Sequence, residues 1–275
     1  MSNLFGRITE LYVNNRKFDG DDFDIHFDVP FDSEESDDVA EISIFNLSDD
    51  SIHAFGSKPK VILNAGYTGD VGAILLGLTK SKVTEWEELD KKTTLLVADG
   101  ASSYFSQSIK KTYAKGMKAS DIINDISRFT GIKIGAVKLP TNKVYTKGKT
   151  IKGKLSQVIA KIAAECGAKG YVRRGQMFIR PKNEGKTIGF VLDEAHGLIG
   201  SPTPIEKDVD VGTSDKPKTV TYKGWKVVCF LNHRITAQSV IEIHSKTANG
   251  IFLVENGRHY STDNDFLTEM EVYAP

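Results

Sequence analysis

The sequence predicts an α+β fold, mainly β, in which two antiparallel β-modules flank a small α/β module. Three observations lead there. Period-two alternation of apolar and polar residues runs through both ends of the chain, two central segments switch to helical period, and charge divides at the same places. Residues 1–105 carry 9 Lys/Arg against 20 Asp/Glu, residues 106–186 carry 19 against 4, and residues 187–275 carry 8 against 12. A net charge of zero therefore conceals blocks of −11, +15 and −4. One compact domain rarely segregates charge this way, so the expected domains are 1–105, 106–186 and 187–275.

The first block reads as strands. In "DFDIHFDVPF", Phe23, Ile25, Phe27 and Val29 alternate with polar residues, the mark of a half-buried strand. The acidic run Asp32 to Asp38 interrupts. "VAEISIFNLS", "KPKVILNAGY", "GAILLGLTKSKVTEW" and "KTTLLVADG" follow, separated by turn-rich pieces, and together they predict a sandwich or small barrel. Ser48 is placed to cap one short helix in "LSDDSIHAF".

The middle block has two helices. Ile122, Ile123, Ile126 and Phe129 share a face, with Ser120 as cap and Gly131 as stop. Leu155, Val158, Ile159, Ile162, Ala163 and Cys166 form a continuous stripe that Gly167 ends. Burying its aliphatic side chains contributes on the order of 6–12 kcal/mol before the opposing entropy. "KIGAV" is a short strand, and "AKGYVRRGQMFIRPK" a hairpin turning at Arg173–Gly175.

The last block returns to strands in "KTIGFVLD", "TVTYKGWKVVCFLN", "SVIEIHS", "GIFLVENGRHYS" and "DFLTEMEVY". Asn256–Gly257 is a strong type I′ hairpin signal. Residues 201–218, polar and proline-bearing without a period, predict a long loop.

Composition excludes several classes. No apolar run approaches 18 residues, so no membrane span is expected, and the N-terminus lacks a signal-peptide layout. The chain reads as cytoplasmic when made. Cys166 and Cys229, in different modules and apolar surroundings, predict buried thiols rather than a disulfide or metal pair. Metalloprotease, hydrolase-elbow and phosphate-loop motifs are absent. The histidines (His26, His53, His196, His233, His244, His259) are scattered. His244 and His259 on adjacent strands, joined by Asp263 or Asp265, are the best metal-ligating set, against the blander reading of polar strand positions. No catalytic, cofactor-binding or metal residue is therefore assigned, and no enzyme activity or cofactor is expected. The basic block could touch nucleic acid, but Tyr113, Phe129, Tyr145, Tyr171 and Phe178 are dispersed and mostly core-periodic. A docking face for an acidic protein or a plain solvated face competes with that reading.

The phrases "VAEISIFNLSDDSIHAF", "KVILNAGYTGDVGAILLGLTKSKV" and "LLVADGASSYFSQS" resemble the opening domain of baseplate hub proteins of tailed bacteriophages. "TYAKGMKASDIINDISRFTGIKIG" is similar to their α/β insert. "HGLIGSPTPIE", "GWKVVCFLNHRITAQSVIEIHS" and "NGIFLVENGRHYSTDNDFLTEMEVY" are similar to their closing domain. The order and spacing of these phrases carry the resemblance. It implies two tube-type antiparallel β-barrel domains flanking the insert, in a structural virion protein of the tail baseplate.

Such hubs are homotrimers that link a sixfold tail tube, or a distal tail protein, to a threefold central spike. They contact other baseplate proteins and surround a channel through which phage DNA passes on ejection. Two barrels in each of three chains present six. Related cores occur in contractile bacteriocins and type VI secretion spikes, an alternative that sequence does not separate. A nucleic-acid-binding module built on residues 106–186 is the alternative of another class. Unlike larger relatives, this sequence shows no lysozyme-like extension, so wall digestion is expected of another protein. Acidic β-modules around the channel would keep DNA from adhering, with the basic insert outside.

Overall fold

A computed structural model of the chain describes residues 5–32, 39–99, 108–173, 176–181, 186–210 and 219–274. The opening strands are β1 (Arg7–Val13), β2 (Arg16–Asp19), β3 (Ile25–Asp32) and β4 (Val39–Phe45). Helix α1 (Asp49–Ala54) leads to β5 (Lys60–Tyr67), β6 (Asp70–Glu87) and β7 (Asp90–Asp99). In β3 every second residue is buried, so Ile25, Phe27 and Val29 face inward as their alternation predicts, and Phe31 continues the series. Phe23 packs only partly against that core, just before the strand. Ser48 caps α1, its hydroxyl accepting the Ser51 N–H at 3.3 Å. Residues 33–38 of the acidic run lie outside the described residues.

The middle segment folds as β8 (Ser108–Tyr113), α2 (Ala119–Thr130), β9 (Lys133–Val137) and β10 (Lys149–Lys154), then α3 (Leu155–Glu165), β11 (Ala168–Arg173) and β12 (Gln176–Pro181). Strands β8 and β10 pair antiparallel, while β11, β12 and β9 form a second small sheet with β9 parallel to β12. The α3 stripe is buried as expected, and Gly167 with φ 75° follows the helix end. Of the Arg173–Gly175 turn, residues 174–175 lie outside the described residues, and Arg173 pairs with Gln176 across it.

Two details of α2 differ from the sequence expectation. Its N-cap is Lys118, not Ser120. Asp121 accepts the Lys118 N–H at 3.3 Å and Asn142 accepts the Ser120 N–H at 3.1 Å, so the first-turn donors are met without a serine cap. Phe129 is 68 % exposed, lying beside Lys111, because the chain reverses at Gly131 (φ 76°) and Ile132 closes the core in its place. Gly131 does stop the helix.

The closing segment comprises β13 (Lys186–Leu192), β14 (Leu198–Asp210), β15 (Thr219–Phe230), β16 (Ser239–His244), β17 (Asn249–Ser261) and β18 (Phe266–Tyr273). Two expectations fail here. Asn256–Gly257 is no turn but the middle of β17, where the strand hands over from pairing with β16 to pairing with β3. Gly257 has no positive φ; it is small because the Glu269 backbone oxygen and the Phe31 ring press on it. The reversal comes instead at residues 262–265, with Thr262 donating to the Asp265 carbonyl at 3.0 Å. The long loop of 201–218 begins as strand: residues up to Asp210 pair with β15. Pro202 and Pro204 are tolerated because β14 ends the sheet and its ladder slips between Ile199 and Thr203. Residues 211–218 lie outside the described residues.

The opening and closing strands join in one 13-stranded sheet, ordered β14-β15-β18-β17-β3-β4-β7-β6-β5-β1-β2, with β16 also on β17 and β13 on β16. The fold is thus α+β and mainly β. Three apolar cores result, and the first and third exchange residues across the β3–β17 seam. Phe31 enters the closing core, while Leu231 and Phe266 enter the opening one. The middle segment has its own core around Ile122, Ile159 and Met177.

Candidate functional site

The seam between the first and third segments is tied by both backbone and charged side chains. Along it Asn256 to Ser261 pair with Asp32 to Phe27. Arg258 on β17 reaches Asp28 on β3 at 2.7 Å and Glu269 on β18 at 3.6 Å. Partial burial works against the Arg258 cation, but the two carboxylates outweigh it and hold its proton more tightly than usual. An open groove of about 320 Å³ lies over the seam. Its lining includes Asp32, Lys226, Arg258 and Glu269, and Lys226 also pairs with Glu269 at 3.1 Å. Charges that neutralise one another this closely tie strands together; they offer little to a ligand.

Further ties join the segments at one end. Arg234, past β15, holds Asp70 at the start of β6 with both terminal guanidinium nitrogens, Nη2 at 2.5 Å and Nη1 at 2.6 Å. The Tyr67 hydroxyl donates to the Phe266 carbonyl at 3.3 Å, and burial pushes the phenol up to about 12. Arg7 donates to the Asn264 carbonyl at 3.0 Å.

The histidines are dispersed, as the sequence indicates. His244 pairs with Glu242 at 2.8 Å on the surface, and His259 is fully buried beside Thr268, its Nδ1 2.9 Å from the hydroxyl. These two do not meet, and neither joins Asp263 or Asp265. Asp263 instead meets His26, whose Nε2 lies 3.1 Å from both Asp263 and Asp24. The three ligand atoms lie within 4.8 Å of one another, a set that could hold a divalent cation. Both carboxylates are exposed, and the imidazole contact with Asp263 already ties β3 to the β17–β18 turn. Asp24 and Asp263 are 239 positions apart, and no local signal joins them. His196 bonds Asp193 at 2.7 Å, His233 lies 3.8 Å from Asp70, and His53 sits in the last turn of α1. Cys166 and Cys229 are buried free thiols, and burial raises Cys229 to about 12.

In the basic segment the aromatic residues are largely used internally. Tyr113 donates to Asp125 at 2.8 Å and Tyr145 to Glu165 at 2.8 Å, while Tyr171 stacks on Phe178 with centroids 5.5 Å apart. Lys111 and Lys149 hold the same two carboxylates. Base-stacking platforms need free ring faces, which Tyr113 and Tyr145, each only 6 % exposed, do not offer.

The β6–β7 hairpin gathers several exposed apolar side chains. Val83, Trp86, Leu89 and Leu96 lie on it in solvent. Paired positions share a face, so Ser81 with Leu96 and Val83 with Thr94 point outward, and Trp86 with Lys91 points to the other side. Its tip, Glu88 and Leu89, falls between the strand phrases "GAILLGLTKSKVTEW" and "KTTLLVADG".

No family model matches the sequence, and no curated protein matches it. Solved structures do. The chain is similar to the tail protein from Neisseria meningitidis MC58 at TM-score 0.68 and 11 % identity, over 98 % of this chain and 97 % of that one. The 43 kDa tail protein of prophage MuSo2 from Shewanella oneidensis aligns at 0.68 and 10 %, over 98 % of both chains. The E. coli c3393 protein is a type VI secretion component described as similar to the T4 tail proteins gp27 and gp5. It aligns at 0.60 and 8 %, over 96 % of this chain and 76 % of that one. The chain therefore has, over nearly its whole length, the fold of these two tail proteins, which a type VI secretion component shares.

Proposed function

We propose that the chain is a structural protein of a phage tail baseplate, the hub that in three copies joins a sixfold tail tube to a threefold central spike. The observation that carries this reading is the end-to-end likeness to two tail proteins, one of them from a prophage. The seam supports it. Because each β-core borrows side chains from the other segment, the two β-modules move as one body, as a part that transmits load between tube and spike must. Three such pairs place six β-modules, each a tube-type barrel in this reading, around a channel through which DNA passes. The acidic β-modules line that channel and the basic segment faces neighbouring proteins. The chain catalyses no reaction in this role; peptidoglycan cleavage by the purified protein would contradict that.

The test is the mass of the purified 30.3 kDa chain, alone and with its spike protein. Three copies are expected in the complex. A chain that stays single in both conditions overturns the hub reading. Likeness to the type VI component favours one second reading, the hub of a contractile bacteriocin or secretion machine, which differs in cargo rather than mechanics.

A further inference from the structure

Residues Glu88 and Leu89 form the two-residue loop between Glu87 and Asp90, which pair across the hairpin. Such loops favour Gly, Asn or Asp, because their backbone enters the left-handed region. Here Glu88 adopts φ 57°, and Leu89 beside it is 91 % exposed. A strained non-glycine residue and a bare leucine are both costly in solvent. Trp86, 71 % exposed, stands next to them. Residues 85–90 also hold four carboxylates, Glu85, Glu87, Glu88 and Asp90, and no cation. Glu87 pairs with Lys92 and Asp90 accepts from Asn46, but Glu85 and Glu88 have no ion-pair partner among the described residues. The tip thus carries Trp86 and Leu89 beside four carboxylates, with Glu85 and Glu87 on the opposite side of the ribbon from Trp86, so it is both apolar and negative.

A complementary surface exists on the same chain. The segment 106–186 is the only block of positive charge. Its strand β9 ends the three-stranded sheet, with one edge on β12 and no described strand on the other. Lys133, Ile134 and Val137 of that strand are exposed. An open edge with two apolar side chains and a flanking lysine, in a basic surrounding, matches an acidic tip that carries Trp and Leu.

We propose that the tip Glu85–Asp90 docks on the β9 edge of a second copy of this chain. Tip and edge are different patches, so the contact is head-to-tail and closes into a ring when the rotation allows. This rests on the proposed hub and names the contact that would build its trimer. Salt weakens it, since the charge attraction reaches only about 8–10 Å at moderate ionic strength, while the apolar contact persists.

The test mixes isotopically labelled and unlabelled full-length chains and treats them with a zero-length carbodiimide cross-linker. Cross-links between Glu85, Glu87 or Glu88 of one chain and Lys133 or Lys138 of the other are expected. In parallel, the double variant Trp86→Ser with Leu89→Ser should keep its circular dichroism and Tm, because both side chains are exposed. Its self-association should weaken by at least about tenfold. A trimer that forms equally well in the double variant, or that yields no tip-to-β9 cross-link, overturns the docking and leaves the ring standing. A wild-type chain that stays single both alone and with its spike overturns ring and docking together.

Discussion

Gly257 and Phe31 are direct partners across the β3–β17 seam, and the Phe31 ring fills the space that a Cβ at position 257 would need. A built Cβ would come within 2.7 Å of Phe31 Cε2 and closer still to the Glu269 backbone oxygen. Backbone cannot yield as a flexible side chain can. Gly257→Val should destabilise the chain by about 2–4 kcal/mol through overpacking and lost ladder bonds. Urea denaturation checks it, and a wild-type midpoint would refute the tight seam.

Ile159 is 2 % exposed in the centre of α3. Ile159→Asp places an unpaired carboxylate among Ile122, Ile162 and Met177, at a cost on the order of 3–5 kcal/mol. The middle segment should unfold and become sensitive to protease between residues 106 and 186. Resistance equal to wild type would show that this face is not inward.

Acid should loosen the same segment. Burial works to raise the Glu165 carboxyl, but hydrogen bonds from Lys149 at 2.5 Å and Tyr145 at 2.8 Å outweigh it and hold it below its usual range. The Lys111 ammonium and the Tyr113 hydroxyl likewise lower Asp125. A carboxylate depressed in the folded state stabilises fully above its unfolded value and loses that contribution as pH falls through the folded one. Stability is therefore expected to hold above about pH 4.5 and decline below. In Glu165→Gln the acid limb should flatten while stability at neutral pH drops. Thermal melts across pH 3–7 distinguish the two chains.

The thiols should be silent. Cys166 and Cys229 are each 1 % exposed, and burial pushes Cys229 up to about 12. A chromogenic disulfide reagent should titrate neither in the native chain and both in denaturant. Fast native reaction at Cys229 would mean that the closing core opens readily.

Where burial followed a local rhythm, the sequence spoke clearly. Ile25, Phe27, Val29 and Phe31 alternate because one face of β3 is wet, and the α3 stripe repeats because one side meets a sheet. Strands β8 and β10 escaped notice because lysines crowd their solvent face, leaving Ile109, Tyr113 and Ile151 as the buried residues. Pro202 and Pro204 disguised β14, an edge strand where missing N–H groups are harmless. Asn256–Gly257 misled for the opposite reason: a turn-forming pair was placed by the crowding of a distant strand. Asp263 joins Asp24 and His26 only through tertiary pairing, and no spacing rule encodes that.

The ladder from Asp28 to Tyr260 joins positions 232 apart. During synthesis the first module must wait, with the β3 edge bare, until residues 256–261 have left the ribosome. A long-range pairing of this kind is slow to form and leaves an adhesive border exposed meanwhile. Nascent chains stalled before that hairpin should therefore clump, and chaperone demand should peak late in translation.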